Sequence, residues 1–190
     1  LAIDNGEIVN KRLQVGRMDG LVIVYPNGGI DVSNISNGDL KLAGGGADPN
    51  HKYDLKKAID QVKFIAWAVN QKVTVFQTHL LAYKNENIVY ETSRKTLRER
   101  RFFALCLNEN NEVVHNIINI PTYMSLYDAT NKALTIMKTK KKLNVMALLN
   151  FETGMRDIFK LFNSDGTPNN SIKGRVEILN ATNLMVYYFE

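Results

Sequence analysis

Short apolar runs separated by tight-turn signals are the feature that most constrains how this chain folds. Leu1 to Ile3 and Glu7 to Val9 flank Asp4-Asn5-Gly6, and Leu21 to Tyr25 and Gly29 to Ser33 flank Pro26-Asn27-Gly28. Phe102 to Leu107 and Val113 to Ile120 flank Asn108 to Asn111. Two-residue and three-residue loops rich in Asn and Gly join antiparallel neighbours, because only such residues adopt the left-handed backbone those turns need. Val73 to Gln77 and Leu80 to Tyr83 add two strands or one interrupted strand, followed by a turn at Lys84 to Asn87. Leu40 to Leu42 is a further short strand. A turn at Asp165-Gly166 and a closing strand over Leu184 to Phe189 complete the series.

Two segments break that rhythm with helical spacing. Asp54 is placed to cap a helix from Leu55 to about Asn70, whose residues Leu55, Ala58, Ile59, Val62, Ile65, Ala66 and Val69 share one face. Ser125 to Asp128 reads as a capping box opening a second helix, with Leu126, Ala129, Ala133, Ile136 and Met137 inward. Hairpins with two inserted amphipathic helices give an α+β fold around a mainly antiparallel sheet. At 190 residues the chain is expected to form a single domain over 1–190, with a flexible glycine-rich loop over 43–53. That loop lacks the spacing and the lysine of a phosphate-binding loop.

Charge and cysteine content exclude more than they assign. The formal net charge is +5, which permits an anionic partner without requiring one. The basic clusters Arg94 to Arg101 and Lys138 to Lys142 have no interleaved aromatics and no recognised motif, so no nucleic-acid partner is expected. The second cluster closes a helix, where cations complement the dipole. The one cysteine, Cys106, rules out an internal disulfide and sits in an apolar run that suits an inert thiol. His51, His79, His115 and Cys106 match no zinc spacing, so no metal site is assigned. A Ca²⁺ or Mg²⁺ ion held by loop carboxylates stays open, since hard-cation sites need no contiguous motif. No membrane span is present, and the oligomeric state is not readable. The chain starts at Leu1 without an initiator Met or signal peptide, which suits a mature, processed or truncated form.

The chemistry concentrates in one place. The strand pattern Val145 to Leu149 runs directly into Asn150, Glu152, Thr153, Gly154, Arg156 and Asp157. A core strand holds polar groups just beyond its end in fixed positions, which suits a ligand site; a polar turn is the plain alternative.

Several phrases resemble the phosphodiester glycosidase family, whose best-known member removes N-acetylglucosamine from a phosphodiester and whose many bacterial members act on substrates not yet assigned. The family's Ala-hydrophobic-Asn-Gly-Gly-Phe-Phe phrase resembles Ala2 to Ile8, and its Gly-Leu-hydrophobic-Ile phrase ahead of an Asn-Gly turn resembles Gly20 to Ile23 with Asn27-Gly28. Its Gln-x-x-Pro-Leu-Leu phrase resembles Val75 to Ala82, with His79 in the proline place and the spacing from Gln77 one residue short. An arginine entering a strand-turn-strand unit resembles Arg100 and Arg101, and the capped helix from Ser125 follows in order. The family's Ala-x-Asn-Leu-Asp-Gly-Gly-Gly-Ser phrase resembles Leu148 to Arg156. The departures are specific. Glu152 replaces an Asp, Thr153 the first Gly, and Met155 and Arg156 the last Gly and the Ser. In the early phrase Asp4 replaces Asn, Asn5 the first Gly, and Glu7 and Ile8 the two Phe.

The resemblance implies a phosphodiester-glycosidase-like domain, exported or in a cell envelope, that takes a carbohydrate or sugar-phosphate ligand. Splitting a sugar-1-phosphodiester needs an acid, a base or nucleophile, and a cation for the phosphate. Glu152 is the first candidate carboxylate, with Asp157 as a second; Asp4 lies near Glu152 by the resemblance, or is simply a turn residue. Arg101, or Arg100 if the register slips by one, clamps the phosphate, with surface charge as the alternative for each. Arg156 is a further phosphate ligand, Asn150 and Thr153 are hydroxyl partners, and Gly154 supplies close backbone approach. His79 is a substrate-site candidate beside the commoner structural role. Three readings stay open: a sugar-phosphodiester hydrolase, a non-catalytic carbohydrate-binding module on the same fold, and a structural or assembly domain of a larger exported or phage particle. Residues upstream of Leu1 are candidates to complete the site.

Overall fold

A computed structural model describes residues 1–16, 18–37, 40–41, 52–91, 96–151 and 160–170. The first strands are β1 (Ala2–Asp4), β2 (Glu7–Asn10), β3 (Gly20–Val24) and β4 (Ile30–Asn34), followed by a 3₁₀ turn at Ile35–Asn37. Then come β5 (Leu40–Lys41), β6 (Lys52–Tyr53), α1 (Ala58–Asn70), β7 (Thr74–Thr78), β8 (Leu80–Tyr83) and β9 (Glu86–Asn87). The long hairpin β10 (Arg98–Leu107) and β11 (Val113–Met124) leads to α2 (Leu126–Lys140), β12 (Asn144–Phe151) and the hairpin β13 (Leu161–Phe162) and β14 (Pro168–Asn169).

The strands build two five-stranded sheets, ordered β2-β1-β7-β3-β4 and β11-β10-β12-β8-β9, plus the small pairs β5-β6 and β13-β14. Every pairing among the described strands is antiparallel, as the turn chemistry requires. At the first turn Asn5 and Gly6 have φ of 46° and 82°, the left-handed pair that a two-residue hairpin needs. The fold is therefore α+β with a mainly antiparallel framework.

Side-chain alternation sorts the apolar residues into three cores. On β3, Leu21 and Ile23 face α1 with Phe64 and Ala68, whereas Val22 faces the second sheet. On β12, Val145 and Leu148 face α2 with Leu126, Ala129 and Met137, whereas Ala147 and Leu149 face the first sheet. The layers run α1, first sheet, second sheet, α2. The chain changes sheets at one residue: β7 lies inside the first sheet, His79 follows, and β8 lies inside the second. That resolves the interrupted strand of the sequence reading as two strands in different sheets. Gly20 marks a close approach of the two sheets, since a Cβ there would lie 3.1 Å from Leu149 Cδ2, 3.1 Å from the Thr78 carbonyl and 3.3 Å from Leu80 Cβ.

Two sequence expectations are corrected at α1. The helix begins at Ala58 with Lys57 at the N-cap and no side-chain cap, rather than at Leu55 under Asp54. Asp54 instead accepts the Lys56 N–H (3.1 Å), tying its carboxylate to the turn before the helix. The expected inward stripe is largely outward: Ile59 and Val62 are 61% and 65% exposed. The buried face carries Phe64 and Ala68, with Phe64 stacked on Trp67 (5.6 Å) and edge-on to Tyr53 (5.7 Å). An aromatic buries more apolar area than Ile or Val, so the face that seats Phe64 and Trp67 wins the sheet. Full burial of Phe64 alone contributes roughly 1.5–3 kcal/mol.

The second helix follows expectation closely. Ser125 Oγ accepts the Asp128 N–H (3.1 Å) and donates to the Asp128 carboxylate (2.6 Å). Leu126, Ala129, Ala133 and Met137 are buried; Ile136 is half-buried and packs against the same core, and Thr130 joins that face by donating to the Leu126 carbonyl (2.8 Å). The flexible loop expected over 43–53 is shorter at its end, because Lys52–Tyr53 pairs with Leu40–Lys41. The closing strand expected over Leu184 to Phe189 lies outside the described residues. No helix among the described residues is long and apolar enough to cross a membrane.

Candidate functional site

The C-terminal end of β12 is where four of the five described candidate residues, Arg100, Arg101, His79 and Asn150, come together along the backbone. Phe102 pairs with Asn150 and Arg101 with Phe151 across the β10–β12 ladder, while Arg100 and Arg101 pair with Ile120 and Asn119 on β11. The Asn150 N–H donates to the His79 carbonyl (3.0 Å), and Thr78 Oγ1 donates to the Asn150 carbonyl (3.1 Å). The residues flanking the sheet crossover therefore hold the last turn of β12 from the side, while β10 holds it from the other.

Both arginines are buried, at 8% exposure for Arg100 and 4% for Arg101. The surface-charge reading of this basic stretch does not hold here, because β10 runs through the middle of a sheet. Taking a guanidinium out of water costs several kcal/mol unless hydrogen bonds and opposite charge offset it, and arginine does not escape by losing its proton. Arg100 Nη2 donates to the Thr96 carbonyl (2.7 Å). Alternation divides the pair. Arg100 shares the α2-facing side with Phe102 and Asn150, and Arg101 shares the inter-sheet side with Phe103 and Phe151, whose rings stack at 5.8 Å. One phosphate group cannot be clamped by both from within a regular strand.

Asn150 is half-buried, and its backbone N–H and C=O are both satisfied without its side chain. Its side chain keeps both roles expected of it, orienting a substrate hydroxyl or satisfying backbone groups at the strand end. His79 is half-buried at the crossover, and its described hydrogen bond to Asn150 is made by its backbone. His115 lies 5.7 Å from the Phe103 ring, and burial lowers its pKa.

Asp4 is placed elsewhere. It is exposed at the start of the first sheet, where Thr74 Oγ1 donates to its carboxylate (3.3 Å) and to which the Asn5 N–H on Thr74 Oγ1 (3.0 Å) adds a second tie. Thr74 opens β7 and Thr78 closes it, so Asp4 is separated from the His79–Asn150 contact by roughly 13 Å of strand at ~3.3 Å per residue. Its turn role is visible; Glu152, near which the resemblance places it, lies outside the described residues. Glu152, Thr153, Gly154, Arg156 and Asp157 lie outside the described residues.

Thr78 and Gly20 are the positions that sequence reasoning missed. The glycine ahead of an apolar strand was the available signal for close approach; nothing local marked Thr78. Among the described residues no group of three or more His, Cys, Asp or Glu side chains is gathered to hold a metal ion. Comparison with protein-family models, with curated proteins and with solved structures finds no match.

Proposed function

We propose that the chain is a hydrolase of the phosphodiester glycosidase type, acting on a sugar-1-phosphodiester of a bacterial envelope or exported glycan. The observation that carries this reading is the buried arginine pair beside Asn150 and Phe151, immediately before Glu152 in sequence. A guanidinium held in low dielectric is a strong ligand for a phosphodiester, whose oxygens accept its paired N–H groups. Arg101 or Arg100 neutralises the phosphate, Asn150 hydrogen-bonds a sugar hydroxyl, and Glu152 acts as general base or acid, with Asp157 as the second carboxylate. Water adds its oxygen to the anomeric carbon as the bond from that carbon to the phosphate oxygen breaks, giving the free sugar and a phosphomonoester. The reading carries no nucleic-acid partner, and a divalent cation is a variable of the assay.

The test is phosphomonoester release from an α-N-acetylglucosamine-1-phosphodiester by wild type, Glu152→Gln and Arg101→Lys, with and without Ca²⁺ or Mg²⁺. Release by wild type that is lost in a folded Glu152→Gln variant is the expected result. Arg101→Lys keeps the charge but loses the planar fork, so kcat/KM falls about 10–100-fold, equivalent to one charged hydrogen bond of ~1.5–3 kcal/mol. Full activity in Glu152→Gln refutes its role. The separation of Asp4 from Asn150 favours a second reading, a carbohydrate-binding module without catalysis. Saturable binding of the same diester with no product separates the two.

A further inference from the structure

We propose that Asn119 is a second phosphate-binding residue of this site, and that the diester reaches Arg101 over the inter-sheet face of β11. The proposal rests on the reading above in which Arg101 takes the phosphate. A phosphodiester has two unesterified oxygens, which accept more hydrogen bonds than the two of one guanidinium fork. Arg100 does not supply the others, because it projects from the opposite face of β10. The ladders set two residues directly across from Arg101 on its own face: Phe151 on β12 and Asn119 on β11. Phe151 has no side-chain donor. Asn119 has an amide, and directly opposed residues hold their Cβ atoms roughly 5 Å apart, so both side chains reach one phosphate group.

The neighbouring rows show the way in. Across the row Leu149, Phe103, Ile117, exposure climbs from 0% to 6% to 37%. In the next row Ala147 and Leu105 are buried and His115 is half-buried. The first sheet thus covers β12 and β10 on this face, and the close approach of Gly20 to Leu149 shuts the β12 side. The face opens toward β11, where Asn119 is exposed beside the buried Arg101.

The residue type suits an anion. Asn is depleted in strands, where a β-branched residue packs better, and β11 uses Val113 and Ile117 on this same face. A carboxylate opposite Arg101 would compete with the substrate for the guanidinium. The amide instead donates to the anion and carries no charge of its own.

The test compares Asn119→Asp, Asn119→Ala and Asn110→Asp with the α-N-acetylglucosamine-1-phosphodiester as probe. Binding is read by calorimetry in a Glu152→Gln background, and KM and kcat without that change. Asn119 is exposed, so its variants are expected to keep the wild-type circular dichroism spectrum. Asn119→Ala is expected to weaken binding and raise KM about 10-fold, and Asn119→Asp about 10–100-fold, with kcat within about twofold. Asn110→Asp adds the same charge in the exposed far turn of the hairpin and is expected to bind as wild type. The stretch from Val113 to Asn119 separates it from the site by roughly 20 Å of strand, beyond the screening length. Unchanged binding in both Asn119 variants overturns the proposal, as does a fall in kcat at constant KM or an equal loss in Asn110→Asp. Product release by wild type with Asn119→Asp unaffected removes Asn119 alone and leaves the hydrolase standing. Binding that Asn119→Asp abolishes, with no product from wild type, keeps the subsite and ends the hydrolase reading. Neither binding nor release overturns both.

Discussion

Gly20→Ala probes the contact that fixes the candidate site. Gly20 has no left-handed φ, so alanine is allowed by the backbone and its cost comes from space alone. The new methyl would meet the Thr78 carbonyl and Leu149 Cδ2, each at 3.1 Å, and Leu80 Cβ at 3.3 Å. The carbonyl does not yield easily, because Gly20 and Thr78 face each other in the β3–β7 ladder. Overpacking of this kind costs about 1–3 kcal/mol. Replacing glycine also stiffens the unfolded chain, which returns about 0.4–1 kcal/mol. The expected net is a destabilisation of about 1–2 kcal/mol, read from urea midpoints at constant m. The sharper test is the cycle with Leu149→Ala, which alone costs about 2–5 kcal/mol. With Leu149 truncated, part of the clash is gone, so the double variant is less damaged than the sum by about 0.5–1 kcal/mol. Gly28→Ala is the control: its φ is +82° and nothing lies within 4 Å, so it reports backbone strain without crowding. A Gly20→Ala protein as stable as wild type, or strict additivity with Leu149→Ala, refutes the close-approach argument.

Two further outcomes follow from buried titratable groups. Burial raises the Asp31 carboxyl above its ordinary 3.8, with the hydrogen bond from Tyr25 Oη (2.8 Å) acting in the opposite sense. A raised folded pKa means that its share of stability is fully present below 3.8 and is lost as pH rises through the folded value. Urea midpoints of wild type and Asp31→Asn, compared across that window, are therefore expected to diverge, wild type losing ground as pH rises; a constant difference contradicts a raised Asp31. Cys106 is fully buried, and burial raises its thiol to about 11 against the smaller opposing effect of Asn116. At pH 8 a thiol reagent should label it only as fast as the chain opens, and immediate labelling of the folded protein contradicts this placement.

What the sequence made legible was whatever local chemistry determines alone. Asn5-Gly6 forces its hairpin through positive φ, and Ser125 with Asp128 starts α2 through hydrogen bonds confined to one turn. Periodicity failed at α1 because that helix is apolar on more than one side. Ile59 and Val62 had the better spacing, but Phe64 and Trp67 had the greater area to bury against Tyr53 and Tyr25. Spacing reports which residues share a face, and only the surface opposite decides which face is taken.

The site divides along the same line. The burial of Arg100 and Arg101 was invisible locally, since RKTLRERR reads as a basic turn until β11 pairs with Arg100 and both β11 and β12 pair with Arg101. Asp4 sits at the Thr74 end of β7 and Asn150 at the Thr78 end, a placement that no local spacing announces. Strand direction is a property of the whole sheet, set by pairings dozens of residues apart, such as Gly20 with Thr78. Under the hydrolase proposed above, Asp157, five residues after Glu152, is the second carboxylate nearer to it in sequence. Asp157→Asn should then reproduce the loss seen in Glu152→Gln in the diester assay, while Asp4→Asn leaves kcat unchanged; loss of turnover in Asp4→Asn with Asp157→Asn fully active reverses that assignment.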